Sequence, residues 1–364
     1  MNLKNRLASI LKNKKTRIAV AALLIITVLG VISFCLHSYH LNELRKRREN
    51  EARLAQEQFE KYITLCNEYN LAVESYNKET ERLNELFDSL VKYNVLENTP
   101  EIQAKNKIEP DVKSEDINQN LFNSISQQKD NIINNTSLIK EKYSEICISS
   151  YDTAIKRYEI ISESYDKLLK TTSIDYIEGI PEKADTIHKI DIKPDSAEFE
   201  VEAMLKEIDQ LSKKTETLSG YYSVVTQITN PSEQWVIEKL KSVHQITGEM
   251  AVNKQNDPNN LLGKEGGYSV CVYFTLDSID PKSVSGNSII DKGTDAGGAI
   301  EVYPDLESAK NRCKYLSQFD NTLLYTGSYV IIGTMVVRTS YKLSDEEQVS
   351  ITNDIINKFT ALSS

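Results

Sequence analysis

Histidine, tryptophan and closely spaced cysteines are scarce in this sequence, and each shortage closes off a class of chemistry. Four histidines and one tryptophan occur in 364 residues. The five cysteines, Cys35, Cys66, Cys147, Cys271 and Cys313, form no C-x-x-C pair. Zinc sites need ligands at short fixed spacing and disulfide frameworks need dense pairing, so neither is expected. All five read as small buried hydrophobes, and Cys271 with Cys313 is the one pair that a shared domain would allow to bridge. Glycine and proline are also sparse, at 13 and 8 residues, which excludes a low-complexity chain.

Basic residues are unevenly placed. Residues 1–53 hold eleven Lys and Arg against three acids, while the remainder carries an excess of acid. A basic head on an acidic body fits a chain that meets anionic lipid at one end and is solvated elsewhere. It excludes nucleic acid as a partner of the body, because phosphate recognition needs a positive face.

What is present begins with Ile18–Leu36, an uncharged apolar run. A helix rising about 1.5 Å per residue needs about 20 such residues to cross a hydrocarbon core. A signal peptide is the competing reading, but its apolar region is shorter and ends in a small-x-small site, whereas Ser33-Phe34-Cys35 is a poor one. The run reads as an uncleaved single-pass anchor. Lys14, Lys15 and Arg17 abut it, while Arg45, Lys46, Arg47 and Arg48 follow at a distance. The positive-inside rule then places residues 1–17 in the cytoplasm and the bulk outside. All seven cations are candidate contacts with anionic lipid.

Three helices follow, predicted over 41–98, 116–170 and 195–228. In the first, Ala52, Ala55, Phe59, Tyr62, Cys66, Tyr69, Val73, Tyr76, Thr80, Leu83, Phe87 and Leu90 recur in steps of three and four. That is a heptad seam, the pattern of a coiled coil or bundle helix. Pro100 and Pro110 are expected to end it. The second helix carries Ile125, Ile132 and Ile139, then Cys147, Tyr151, Tyr158 and Tyr165 one position out of phase. Asp195 and Glu198 form a capping-box pattern ahead of the third. These helices either fold back as an antiparallel bundle or pair with a second copy, which would make a homo-oligomer through the stalk.

From residue 231 the texture becomes that of an α+β domain. Ser232 reads as a helix cap. Tyr268–Leu276 alternates as a strand, Ala299–Tyr303 is a short one, and Tyr329–Thr339 is apolar enough to be a strand covered on both faces. Helices are expected from Asp305 to Phe319 and from Ser344 to Leu362. The fold class is therefore one N-terminal transmembrane helix, a long helical stalk and a C-terminal α+β domain.

Several segments of this domain, Asn256–Asn259, Gly266–Tyr268, Lys292–Gly298 with Ile300–Tyr303, Arg312 with Tyr315-Leu316, Gly327-Ser328 and Val337–Ser340, carry a resemblance. The stretch from Trp235 to Leu362 resembles the C-terminal domain of membrane-anchored envelope proteins of low-GC Gram-positive bacteria, labelled Ebh-like or extracellular-matrix-binding. The resemblance covers about a third of the chain and implies an envelope location. It brings no catalytic residues and no agreed activity.

Candidate chemistry within the domain is thin. Lys292–Gly298 lacks the closing Lys-Ser/Thr of a P-loop and precedes a strand, so turn-forming glycines account for it. Asp257, Asp291 and Asp295 fall in predicted loops and could supply calcium ligands, although Asp is also an ordinary turn former. A nucleophilic triad would have to use His244, on a predicted helix. Asp295 with Glu301 is the carboxylate pair an enzyme would need. Trp235 reads as core packing or a binding hot spot. No cofactor is called for, and the expectation is a non-enzymatic envelope protein that offers its terminal domain to a wall component, matrix ligand or protein. A cytoplasm-facing scaffold and a wall-acting enzyme are the alternatives.

Overall fold

The computed structural model describes residues 14–98, 101–113, 116–190 and 199–362. Lys4, Arg6, Lys12, Pro100, Pro194 and the Asp195–Glu198 capping box lie outside the described residues. The chain divides into two compact units, residues 1–86 with 100–143, and residues 87–99 with 144–364.

The first unit is built on helix α1, Lys14–Lys92, which runs unbroken from the apolar span into the heptad seam. The span is long and apolar enough to cross a membrane, and none of its most apolar window is buried by protein. Arg45–Glu49 and Arg53–Glu57, one turn apart, support the polar stretch that follows. Burial along the seam begins at Tyr62 and continues through Cys66, Tyr69, Val73, Tyr76, Thr80 and Leu83. Ala52 is exposed, and Ala55 and Phe59 are half-buried. Helix α2, Gln119–Leu169, starts where Asn118 Oδ1 accepts the amide of Leu121 at 3.1 Å, and in this unit it buries Ile125, Ile132 and Ile139.

The two helices run parallel. Lys129 pairs with Glu68 at 2.7 Å, Lys140 with Glu79 at 3.6 Å, and the Arg82 guanidinium lies 4.6 Å from the Tyr143 ring centre. Each partner is the same 61 residues further along the chain, a constant offset that only a parallel pair gives. Of the two arrangements left open by the periodicity, packing within one chain is seen here, with these two helices parallel rather than antiparallel. What runs antiparallel is the linker itself, residues 101–113, which has no helix or strand and returns along α1 as an extended strap. Asn84, Asn77 and Asn70 each hold it by two backbone bonds, to Ile102, Lys105 and Ile108 respectively.

The second unit repeats this plan. Helix α1 ends at Lys92, short of Pro100, in a turn where Asn94 is left-handed with φ 55°. The Tyr93 carbonyl accepts from Ser212 on helix α3, Phe199–Gln227, at 2.8 Å, and Arg157 of α2 donates to the Asn94 carbonyl. Further on, the hydroxyls of Thr172 and Thr229 meet at 2.9 Å, so α2 and α3 are also parallel. The linker between them again runs back: Tyr165 donates to Pro181, Tyr158 to the Asp185 carbonyl at 2.7 Å, and the Tyr151 hydroxyl accepts from Ile190 at 2.8 Å. Met204, Ile208, Leu211, Leu218 and Val225 are the buried face of α3, as its periodicity predicts.

The terminal domain opens with α4, Glu233–Lys241, capped by Ser232. Strands β1 (Ile246–Ala251), β2 (Val270–Leu276), β3 (Gly297–Val302), β4 (Tyr329–Ile332) and β5 (Met335–Thr339) form one antiparallel sheet in the order β1-β2-β3-β5-β4. A short helix α5, Ile289–Lys292, and a 3-10 turn lead into β3. Helix α6, Leu306–Leu316, covers one face; α4 and the closing helix α7, Asp345–Thr360, cover the other. Val272, Phe274, Ile300, Val302 and Val337 alternate toward α4 and α7, while Cys271, Tyr273, Ala299 and Val336 face α6.

The single strand expected over Tyr329–Thr339 is instead a hairpin. Gly333, at φ +64°, turns the chain, and a side chain there would place its Cβ 1.9 Å from the Ile228 carbonyl oxygen. That turn joins the stalk to the sheet. Gly333 and Ser173 exchange backbone bonds of 2.8 and 3.0 Å, Thr334 donates to the Ile228 carbonyl, and the Thr334 hydroxyl accepts from the Asn230 amide at 2.7 Å. Strand β1 had no expectation from the sequence. Its ITGEMA run is too polar to stand out, and pairing with β2 decides it.

Candidate functional site

The most concentrated polar chemistry lies between the sheet and α6. Antiparallel pairing sets Ala299 opposite Arg338, and Glu301 points to the same face two residues further along β3. From the other side, Arg312 shares the buried face of α6 with Ala309 and Leu316, three and four residues away on either side, which aims it at the sheet. Asp305 starts that helix by accepting the amide of Ser308 at 2.7 Å.

Glu301 has no solvent exposure, and the side chains of Arg312 and Arg338 retain only 9% and 8%. Arg312 grips the carboxylate with two bonds, Nε to Oε2 at 2.7 Å and Nη2 to Oε1 at 2.8 Å. Arg338 Nη1 donates to Oε1 at 2.9 Å, and the Tyr303 hydroxyl donates to Oε2 at 2.9 Å. Two bonds on each oxygen saturate the acceptor capacity of the carboxylate. Burial alone would favour protonated Glu301, but Arg338, the bonds from Arg312 and the Tyr303 hydroxyl outweigh it and hold the carboxyl below its usual range. Burial pushes the Tyr303 hydroxyl up, with Glu301 adding to the effect.

Two cations meet one anion, so the cluster carries one uncompensated positive charge. A groove of about 660 Å³ lies beside it, lined by Arg312 and Arg338 together with Leu261, Tyr315, Phe319 and Leu324. Such a volume lies within the usual range for small-ligand sites. Tyr315 stacks edge-on against Phe319 at 5.2 Å, and the Arg312 guanidinium lies 5.5 Å from the Tyr315 ring centre. No carboxylate other than Glu301 meets these arginines among the described residues.

The residues singled out in the sequence are placed elsewhere. Asp257 is consumed by its own loop, accepting from the amides of Asn259, Leu261 and Leu262 and from the Tyr268 hydroxyl. Burial opposes its charge, but these bonds, Tyr268 first, hold its pKa down. Asp291 closes a capping box with Ser288, and Asp295 is half-buried at the 3-10 turn. The three are not brought together, and no group of three metal-ligating side chains occurs among the described residues. Asp295 and Glu301 lie at opposite ends of β3, with Glu301 spent on its arginines. His244 is exposed in the turn after α4 rather than on a helix. Trp235 packs edge-on against Phe359 at 5.1 Å. Lys14, Lys15, Arg17, Arg45, Lys46, Arg47 and Arg48 are exposed on α1, where Arg45 pairs with Glu49 and Lys46 with Glu43. Cys271 and Cys313 are unbridged; burial raises both thiols, that of Cys313 to about 11.

The cluster was not read from the sequence. Its members lie in segments that carry the resemblance described above, but no spacing links a strand Glu to an Arg on the next helix and another on β5. No protein-family model matches the chain, and no curated protein or solved structure is significantly similar to it.

Proposed function

We propose that the protein is a non-enzymatic, membrane-anchored component of the cell envelope that presents its C-terminal α+β domain, on a helical stalk, to a ligand or partner. The observation that carries this reading is the continuity of α1. Residues 18–36 are apolar and uncovered by protein, and residues 37–86 of the same helix add about 75 Å of rise. A rigid continuation of a membrane span suits a spacer better than an enzyme scaffold. The groove over Arg312 and Arg338 supports a binding role for the domain, because the carboxylate beneath it is already fully engaged by four hydrogen bonds. The basic residues ahead of the span and the resemblance to Gram-positive envelope proteins both favour an external stalk and domain.

Protease treatment of intact cells carrying a C-terminally tagged chain, with lysed cells as control, tests the reading. Loss of the tag in intact cells is expected. Protection until lysis would reverse the orientation and favour a cytoplasmic scaffold, for which the Arg45–Arg48 run just beyond the span would serve as the cytoplasmic lipid contact.

A further inference from the structure

We propose that the groove above Arg312 binds a small amphipathic carboxylate, with the acid on the arginines and an apolar or aromatic body against Tyr315, Phe319 and Leu324. The inference deepens the ligand-binding reading above and rests on it, but not on the side of the membrane the domain faces.

Three observations converge. Arg312 spends Nε and Nη2 on Glu301, and no hydrogen bond from its Nη1 occurs among the described residues. The only fully buried side-chain N or O atom without a partner among those residues is Thr80 Oγ1, so Arg312 Nη1 keeps contact with solvent, and the Arg312 side chain lines the groove. A buried guanidinium with an open donor is a recognition group for planar oxyanions. Charge agrees: four bonds saturate Glu301, and the second arginine is left without a counter-charge. A single negative charge completes the cluster, whereas a cation would meet two guanidiniums and no available acid.

The walls define the rest of the ligand. Tyr315 and Leu324 are 51% and 66% exposed, which is unusual for large apolar groups flanking a charged floor. An inorganic anion would leave that surface wet. A carboxylate joined to an apolar body would cover it while the acid reached Nη1. Asn311 also lines the groove, as does Thr326, whose hydroxyl accepts from Arg338 Nη2 at 2.9 Å and keeps its own proton to donate, and both are suited to an amide or hydroxyl between the two parts.

Titration calorimetry on the full chain in detergent micelles tests this with N-acetyl-phenylalanine, its uncharged C-terminal amide, and acetate. The acid is expected to bind at least ten-fold more tightly than either control. Equal binding of acid and amide would overturn the role of the arginines. Equal binding of acid and acetate would overturn the amphipathic class, and absence of binding by all three would overturn the proposal. Arg312→Lys should lose the preference for acid over amide. Because that change also touches Glu301, a Tyr315→Ala/Leu324→Ala variant provides a second test. Both side chains are exposed, so the fold should persist while acid affinity falls at least five-fold; unchanged affinity would remove the groove as the site. Failure here with an externally protease-sensitive domain would reject the ligand class alone, whereas binding by a protease-protected domain would reject only the envelope placement.

Discussion

Asn77 holds Lys105 with both halves of its amide: Oδ1 accepts the Lys105 amide at 2.7 Å and Nδ2 donates to the Lys105 carbonyl at 2.9 Å. Asn70 and Asn84 do the same for Ile108 and Ile102. The spacing follows from geometry. Seven helical residues rise about 10.5 Å, and three extended residues cover about the same distance, so one Asn per heptad meets every third residue of the strap. Without these bonds the strap's amides and carbonyls would have to be satisfied by water alone.

Asn77→Ala is accordingly expected to cost about 1 kcal/mol, since it exchanges two exposed hydrogen bonds to Lys105 for bonds to water. Hydrogen exchange should speed up at Lys105 while the α1 amides remain protected. Unchanged exchange at Lys105 would show that the strap is held by its side chains instead.

Thr80 places its hydroxyl in the buried seam with no partner. Thr80→Val keeps the shape and removes the desolvation cost, so it should raise stability by about 1 kcal/mol. Denaturant unfolding would measure this, and a lower midpoint would contradict the prediction.

Replacing Glu301 by Gln should cost about 3–5 kcal/mol by leaving two buried guanidiniums without a carboxylate. The pH dependence has a defined sign. Arg338 and Arg312 hold the folded-state pKa of Glu301 below its unfolded value, so its contribution is fully present above the unfolded pKa and fades as pH falls through the folded one. The stability gap between wild type and Glu301→Gln should therefore narrow on acidification. A gap independent of pH would mean that Glu301 is not ionised in the fold.

Gly333→Ala is predicted to disturb the joint between stalk and sheet, because a Cβ would collide with the Ile228 carbonyl and the residue is left-handed. Limited proteolysis should become faster in residues 228–232. If cleavage there is unchanged, the joint tolerates a shifted turn.

The thiols offer a test of burial. The Cys271 thiol is raised well above its ordinary value and that of Cys313 to about 11, so native protein at pH 8 should react slowly with a thiol reagent at both positions. Rapid labelling of Cys271 would indicate that the sheet face under α6 opens readily.

Local pattern accounts for much of this molecule. A run of apolar residues long enough to cross a bilayer, the Tyr62–Leu83 seam, the Ser232 and Ser344 caps and the Asp305 helix start could all be read from neighbours within a turn or two. Tyr329–Thr339 was misread because a lone glycine within an apolar run resembles a strand interior until its φ is known. Asn70, Asn77 and Asn84 went unnoticed because each is an ordinary polar residue beside a seam, and its partner lies in a stretch with no periodicity of its own.

Hydrophobic periodicity and side-chain caps within a few residues are enough to show the long helices, most of the residues that turn inward and the start of the apolar span. The parallel run of the helices, the return of the linkers as hydrogen-bonded straps and the shared burial of Glu301, Arg312 and Arg338 emerge only in the folded chain. Those outcomes depend on pairings between distant residues. Backbone satisfaction and charge burial settle them, and neither is expressed in the spacing of residues along the chain.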